Sequence, residues 1–221
     1  MKIILNATLG LLPAGRLKNR LLNLAGHSIH KSARIHPILI LGRTRLVISE
    51  GVHIGLLNVL RNVVQLELSE HCVIGQFYWF SCDPGLVASS PHLTAGTMTM
   101  LPFSDITSKH LIDVAGGVTL GTHSIIGGAR STLISHGLDV EANVVRTDPI
   151  TIGQYTMLGA CVQVILGANI PAYSVVAMGA LVTRGLTTER MIYGGAPARP
   201  LRELNDAKFW LPELHHKPGL E

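Results

Sequence analysis

Residues 150–184 read ITIGQYTMLGACVQVILGANIPAYSVVAMGALVTR, and every sixth position from Ile152 is aliphatic: Ile152, Leu158, Val164, Ile170, Val176 and Val182. Four places further along each hexad stand Thr156, Val162, Ala168, Ser174 and Ala180, all small or β-branched, and Gly153 and Gly159 directly follow an aliphatic position. A helix repeats every ~3.6 residues and a flat strand every 2, so neither accounts for a sustained period of six. A chain that makes a short strand, turns and repeats does account for it. Three hexads then close one triangular coil of about 18 residues, and stacked coils bury ladders of like side chains between parallel sheets.

The same phase recurs upstream as Ile48, Ile54, Leu60 and Leu66, and again as Val114, Leu120 and Ile126. It fails from about 81 to 107, a Pro-, Ser- and Thr-rich stretch, and again from 137 to 149, so two long loops are expected to leave the coil. Loops of this length in a regular solenoid are usually functional. The expected organisation is an N-terminal helical segment over 1–28, a β-helix over 29–184 and a C-terminal cap and helix over 185–221. After Pro13, Leu17, Leu21 and Leu24 fall at i, i+4 and i+7, which predicts a short amphipathic helix packing through that face. LRELNDAKFWL (201–211) predicts a second helix, with Leu201, Leu204 and Lys208 on one side and Pro212 ending it.

Composition agrees with a solenoid of small aliphatic side chains: 47% of the 221 residues are hydrophobic, only 5% are aromatic and 14% charged. The net charge is +4, but Lys and Arg are scattered without interleaved aromatics, which argues against nucleic acid as a partner. Three cysteines without CxxC spacing fit free thiols in a reducing compartment, so a cytoplasmic address is expected. Among them Cys161 reads as a buried, structural residue. No stretch approaches the ~20 apolar residues that span a bilayer. Arg16, Lys18 and Arg20 nevertheless allow the N-terminal helix a peripheral contact with an anionic membrane.

The 150–184 stretch, the STLISHGLD (131–139) before the loop and YGGAPARPL (193–201) after the coils together resemble the hexapeptide-repeat acyltransferases. That family includes the maltose, galactoside and xenobiotic acetyltransferases and the O-acetyltransferases of surface-polysaccharide pathways. The resemblance is strongest over 113–202. It implies an all-β, left-handed parallel β-helix, a homotrimer with sites between subunits, acetyl-CoA or another acyl-CoA as donor, no metal, and a saccharide acceptor.

It also implies roles for residues. His136 stands where the family carries its catalytic base, which deprotonates an acceptor hydroxyl for direct attack on the thioester; a base poised near neutrality suits that chemistry. His110 and Asp113, in SKHLIDVAGG, are candidate acceptor-side or supporting residues, His110 falling near the point where related sugar acetyltransferases have asparagine. Asp139 lies closer in sequence, so the partner of His136 stays open. Ala160 and Met178, 18 apart, would present backbone to the pantetheine arm, and Arg184 and Arg199 would meet the CoA phosphates. Met157 replaces a tryptophan common in relatives.

Three other readings compete. An amino sugar would suit the same base, making the protein an N-acetyltransferase. His110, His123 and His136, spaced by 13, evoke the zinc site of a γ-class carbonic anhydrase. A non-catalytic β-helix scaffold would need no base at all.

Overall fold

The computed structural model describes residues 2–183, 185–205 and 207–210. Each coil contributes one strand to each of three parallel sheets, and seven coils stack as a parallel β-helix. Register makes the predicted ladders explicit. In the first sheet Ile29, Ile48, Leu68, Met100, Leu120, Ile152 and Ile170 lie one above another. In the second, Ile35, Ile54, Ile74, Ile106, Ile126, Leu158 and Val176 do the same. The third stacks Ile40, Leu60, Phe80, Ile112, Leu133, Val164 and Val182. All are buried, and burial of each such side chain contributes roughly 1.5–3 kcal/mol.

The strict period holds only in the last coils, where Ile152 and Ile170 are 18 apart. Earlier coils carry one to three extra residues, so the first-sheet ladder runs through Leu68 rather than Leu66, although both are buried. The extra residues lengthen the first-sheet strands to four, as in Arg45–Ile48 and Gln65–Leu68.

Turning a corner every six residues requires positive φ, which costs an ordinary side chain about 1–2 kcal/mol. At one corner the cost is offset by stacking. His71, Phe103, His123, Tyr155 and Tyr173, with φ between 52° and 60°, stack ring on ring at centroid distances of 4.8–5.3 Å. The Arg190 guanidinium closes the column 4.8 Å from the Tyr173 ring. Stacked aromatic pairs contribute about 0.5–1.5 kcal/mol each beyond burial. Cys161 occupies another such corner, at φ 58°, and is exposed, not buried as its small size suggested.

The ends depart from expectation in instructive ways. Two helices, α1 (Lys2–Gly10) and α2 (Arg16–Leu24), form the N-terminal segment. The leucine face predicted to pack is the outer one: Leu17 is 70% and Leu24 85% exposed, whereas Lys18, Asn19 and Leu22 are buried. The reason is the backbone beneath. Gly10, Leu12 and His36 present carbonyls that the Lys18 ammonium satisfies at 2.7, 3.0 and 2.9 Å. Asn19 Nδ2 donates to Ala33 O and His30 O. Buried carbonyls need donors more than the coil end needs another apolar face. Burial without a carboxylate lowers the Lys18 pKa to about 8.

At the other end no helix forms over 201–205. Strand Met191–Gly194 extends the second sheet, and Arg199–Glu203 pairs antiparallel with it. An open sheet edge is covered by backbone pairing, which outweighs the helical pattern of the side chains. A short 3₁₀ turn follows at Lys208–Trp210; the remainder of the predicted helix lies outside the described residues.

The first loop is shorter than the 81–107 expected, because Thr97–Met100 and Asp105–Ile106 are ordinary coil strands. Met98 and Met100 occupy positions held elsewhere by aliphatic residues. The loop proper carries α3 (Pro84–Ser89), capped by Asp83, whose carboxylate accepts from Gly85 N and Leu86 N. The second departure is a β-hairpin, His136–Asp139 paired with Val144–Thr147. Both leave the same corner of the prism, between third-sheet and first-sheet strands.

Candidate active site

Strand Leu111–Asp113 pairs in parallel with Thr132–Ile134, setting Asp113 against Ile134. The two residues that follow Ile134 therefore pass beside the Asp113 carboxylate. Asp113 Oδ1 accepts from Ser135 Oγ at 3.0 Å, from Ala115 N at 3.1 Å and from His136 Nδ1 at 2.8 Å. Ser135 Oγ also accepts from Gly116 N at 2.9 Å, locking the two rungs together. The Asp113 side chain is 7% exposed and that of His136 35%. A carboxylate facing Nδ1 places the ring proton there and leaves the Nε2 lone pair for chemistry.

The hairpin fixes the ring's outlook. His136 stands opposite Thr147, and opposed residues project from the same face. Thr147 Oγ1 donates to Ser90 Oγ in the first loop at 2.8 Å, and His92 Nε2 lies 3.7 Å from Asp148 Oδ1. Between the two loops runs a groove of about 350 Å³, whose walls include Pro91, His92, Val145, Thr147, Asp148 and Leu166. The close approach depends on Gly116, where a Cβ would fall 2.6 Å from Asp148 O. Asp139 is occupied elsewhere. Its carboxylate accepts from Ala142 N and Glu141 N at the hairpin tip and pairs with Arg146 at 2.9 Å, and these contacts hold it below the usual carboxylate range.

His110 does not reach this groove as a working group. It is 3% exposed; its Nδ1 accepts from Ser131 N at 3.1 Å, and its Nε2 lies 3.2 Å from Thr107 Oγ1. Its ring stacks on Tyr78, and burial lowers its pKa to about 4. It is a neutral brace between coils. His123 belongs to the aromatic column and His136 to Asp113, so the three histidines of the zinc reading do not converge. Among the described residues no group of three His, Cys, Asp or Glu could hold a metal.

The donor-side candidates occupy a different edge. Ala160 and Met178 sit one above the other, Gly179 N donating to Ala160 O at 2.9 Å, at the corner between second- and third-sheet strands. Gly128 lies directly on Ala160, where a Cβ would come within 2.4 Å, so a track of small residues ends at the exposed Met178. Gly195 and Ala198 bond to Leu181 beside the same corner, and the exposed Arg199 follows. Arg184 lies outside the described residues. Within one chain, then, His136 and the Ala160–Met178 track stand on separate edges of the prism.

Sequence reasoning missed Ser135 and left the partner of His136 open. The signal was the local rung length: 21 residues separate Asp113 from Ile134, so the carboxylate stacks on the residues flanking His136.

No family model and no curated protein matches the sequence. Solved structures do. The polysialic acid O-acetyltransferase OatWY aligns with 88% of this chain and 93% of its own, at 16% identity and a TM-score of 0.58. A hexapeptide-repeat acetyltransferase of Vibrio cholerae aligns over 64% of this chain and 73% of its own, at 22% identity and a TM-score of 0.50. The same Vibrio protein in complex with acetyl coenzyme A aligns over 61% and 72%, at 25% identity and a TM-score of 0.48. The fold is the left-handed parallel β-helix of these acetyltransferases.

Proposed function

We propose that this protein is a coenzyme A-dependent O-acyltransferase that moves an acetyl group onto a sugar hydroxyl, with His136 as general base. The observation that carries the reading is the Asp113–His136 pair, 2.8 Å apart, with His136 opposite Thr147, a wall residue of the groove between the two loops. A neutral alcohol attacks a thioester poorly; Nε2 removes its proton as the C–O bond forms, and the buried carboxylate stabilises the imidazolium that results. The tetrahedral oxyanion then expels the CoA thiolate, which takes up the proton from His136. Fold likeness to an O-acetyltransferase agrees with this chemistry but is analogy at the level of architecture.

The separation of base and donor track supports a trimer. A groove closed by the His136 edge of one copy and the Ala160–Met178 edge of its neighbour would hold both substrates. In that arrangement the Gly128–Ala160–Met178 track meets the pantetheine arm through backbone groups, and Arg199 meets the phosphates, a role suited to its fork of donors. Sugar hydroxyls suit the groove's polar wall of His92, Thr147 and Asp148.

The test is release of free thiol from acetyl-CoA with a panel of hydroxyl and amino sugars, run beside thermal melting with and without acetyl-CoA. Turnover confined to hydroxyl acceptors, with a raised melting temperature, is expected, since a ligand specific to the native state must stabilise it. Turnover with amino sugars alone would make the protein an N-acyltransferase. No stabilisation by millimolar acetyl-CoA would favour the scaffold.

A further inference from the structure

The N-terminal hairpin buries polar groups and leaves much of its apolar surface outside. Leu22 and Leu9 pack on the core, but Asn6, Lys18 and Asn19 are buried beside them, and Asn23 exchanges two hydrogen bonds with the Ile29 backbone. Its outward face is apolar. Ile3, Ile4 and Leu5 on α1, Leu11 between the helices, and Leu17 and Leu24 on α2 are all exposed, Ile4 by 73%. A run of large aliphatic side chains facing water marks a surface that something covers.

Charge says what covers it. Residues 1–49 contain eight Lys and Arg and no Asp or Glu, the first acid being Glu50; the remaining 172 residues hold ten Lys and Arg against fourteen Asp and Glu. Six of the eight cations, Arg16, Arg20, Lys31, Arg34, Arg43 and Arg45, are exposed. Arg16 and Arg20, one helical turn apart, join Lys31 in the wall of a cleft of about 200 Å³ with Asn19, Asn23 and Ile29. A second copy of this end would set cation against cation, whereas a bilayer with anionic headgroups supplies both the negative charge and the apolar phase. No helix among the described residues is long and apolar enough to cross a membrane.

We infer that the hairpin is a peripheral anchor for an anionic bilayer: Ile4, Leu11, Leu17 and Leu24 enter the headgroup–acyl boundary, and Arg16, Arg20 and Lys31 hold lipid phosphates at the cleft. Lys18, which the sequence places beside those arginines, is not part of that surface. Its bonds to Gly10 O and Leu12 O hold the turn between the two helices, and its bond to His36 O ties the hairpin to the first coil, so that the outer face is presented rigidly. The inference is independent of acyl transfer.

The experiment is co-sedimentation of the full chain with vesicles of phosphatidylcholine alone and of phosphatidylcholine with one third phosphatidylglycerol. Binding to the anionic vesicles only is expected, weakened about tenfold between 0.1 and 0.5 M salt as the charges are screened. Arg16→Gln with Arg20→Gln should weaken binding by roughly tenfold or more, given the attraction per cation near such a surface. Ile4→Ser with Leu17→Ser and Leu24→Ser should abolish it at an unchanged melting temperature, since all three are exposed. The inference is overturned if the wild type stays in the supernatant with anionic vesicles, or if both variants bind as the wild type does. It is also overturned if, without lipid, the serine variant sediments as a smaller oligomer, because the face would then be a contact between copies.

Discussion

His110 and His136 flank third-sheet strands of neighbouring rungs, one before Leu111–Asp113 and the other after Thr132–Ile134, yet they hold opposite tautomers. His110 Nδ1 accepts from a backbone N–H, so its proton sits on Nε2 and both nitrogens are spent on the coil. His136 Nδ1 faces the Asp113 carboxylate, so its proton sits on Nδ1 and the lone pair on Nε2, in a side chain about one third exposed. The difference comes from what each nitrogen meets, an amide in one case and a carboxylate in the other. Only His136, where the chain leaves the coil and a carboxylate waits on the rung below, has the arrangement that the proposed base requires.

The largest expected effect breaks the active half of the pair. His136→Ala should lower kcat for thiol release by about 10²–10⁴-fold, the usual contribution of a positioned base, at an unchanged melting temperature; equal turnover would remove His136 from the mechanism. Asp113→Asn keeps the shape but no longer fixes the proton on Nδ1. A loss on the order of 10²–10³ in kcat with little change in KM is expected, because a misplaced ring proton disables the base without emptying the groove.

His110→Ala tests the other half. Removing the ring leaves Ser131 N–H without its acceptor and a gap beneath Tyr78, which should cost about 2–3 kcal/mol and roughly 5–10 °C in Tm. Turnover per folded molecule should stay within about threefold. pH sharpens the contrast further. The His110 pKa is lowered in the folded state to about 4 from an ordinary 6.5, so the unfolded chain binds more protons between those values. Its contribution to stability is complete above about pH 6.5 and is lost as pH falls toward 4. His110→Ala should flatten that part of the stability–pH curve, and an unchanged slope would mean the ring is not buried neutral. The smallest effect is expected at Cys161→Ser. That thiol is exposed beside Ala160 on the proposed donor edge, but serine keeps its size and leaves the backbone groups in place, so activity should change less than about twofold; a larger loss of kcat at unchanged KM for acetyl-CoA would point to a thiol in the reaction.

Period-six spacing made the solenoid and its ladders legible, because an inward aliphatic residue every third of a coil leaves a direct trace in sequence. His136 stood out in the sequence because it lies where the repeat breaks off, and the structure starts the hairpin there. Its partner was not, since Asp113 becomes a neighbour only through a rung of 21 residues, and coil length varies from 18 to 21 even without a loop. The ends were read least well. Leu17 and Leu24 look like a packing face until the carbonyls of Gly10, Leu12 and His36 are seen to need Lys18. Leu201 looks helical until the open edge at Met191–Gly194 is seen to need a strand. In each case a backbone demand set by tertiary position outweighed a side-chain pattern.

Stacked rungs also act as a ruler. His136 follows the fifth strand of its sheet, and the N-terminal helices pack on strands of the first coil, so four strand spacings of about 4.8 Å separate that coil from the rung of His136, a rise of about 19 Å along the solenoid axis. With the hairpin on a bilayer, that rise becomes a stand-off height. Under the two proposals an acceptor held at the same bilayer would have to reach that far to meet His136, and adding or removing whole coils below His136 would change the reach in steps of one rung.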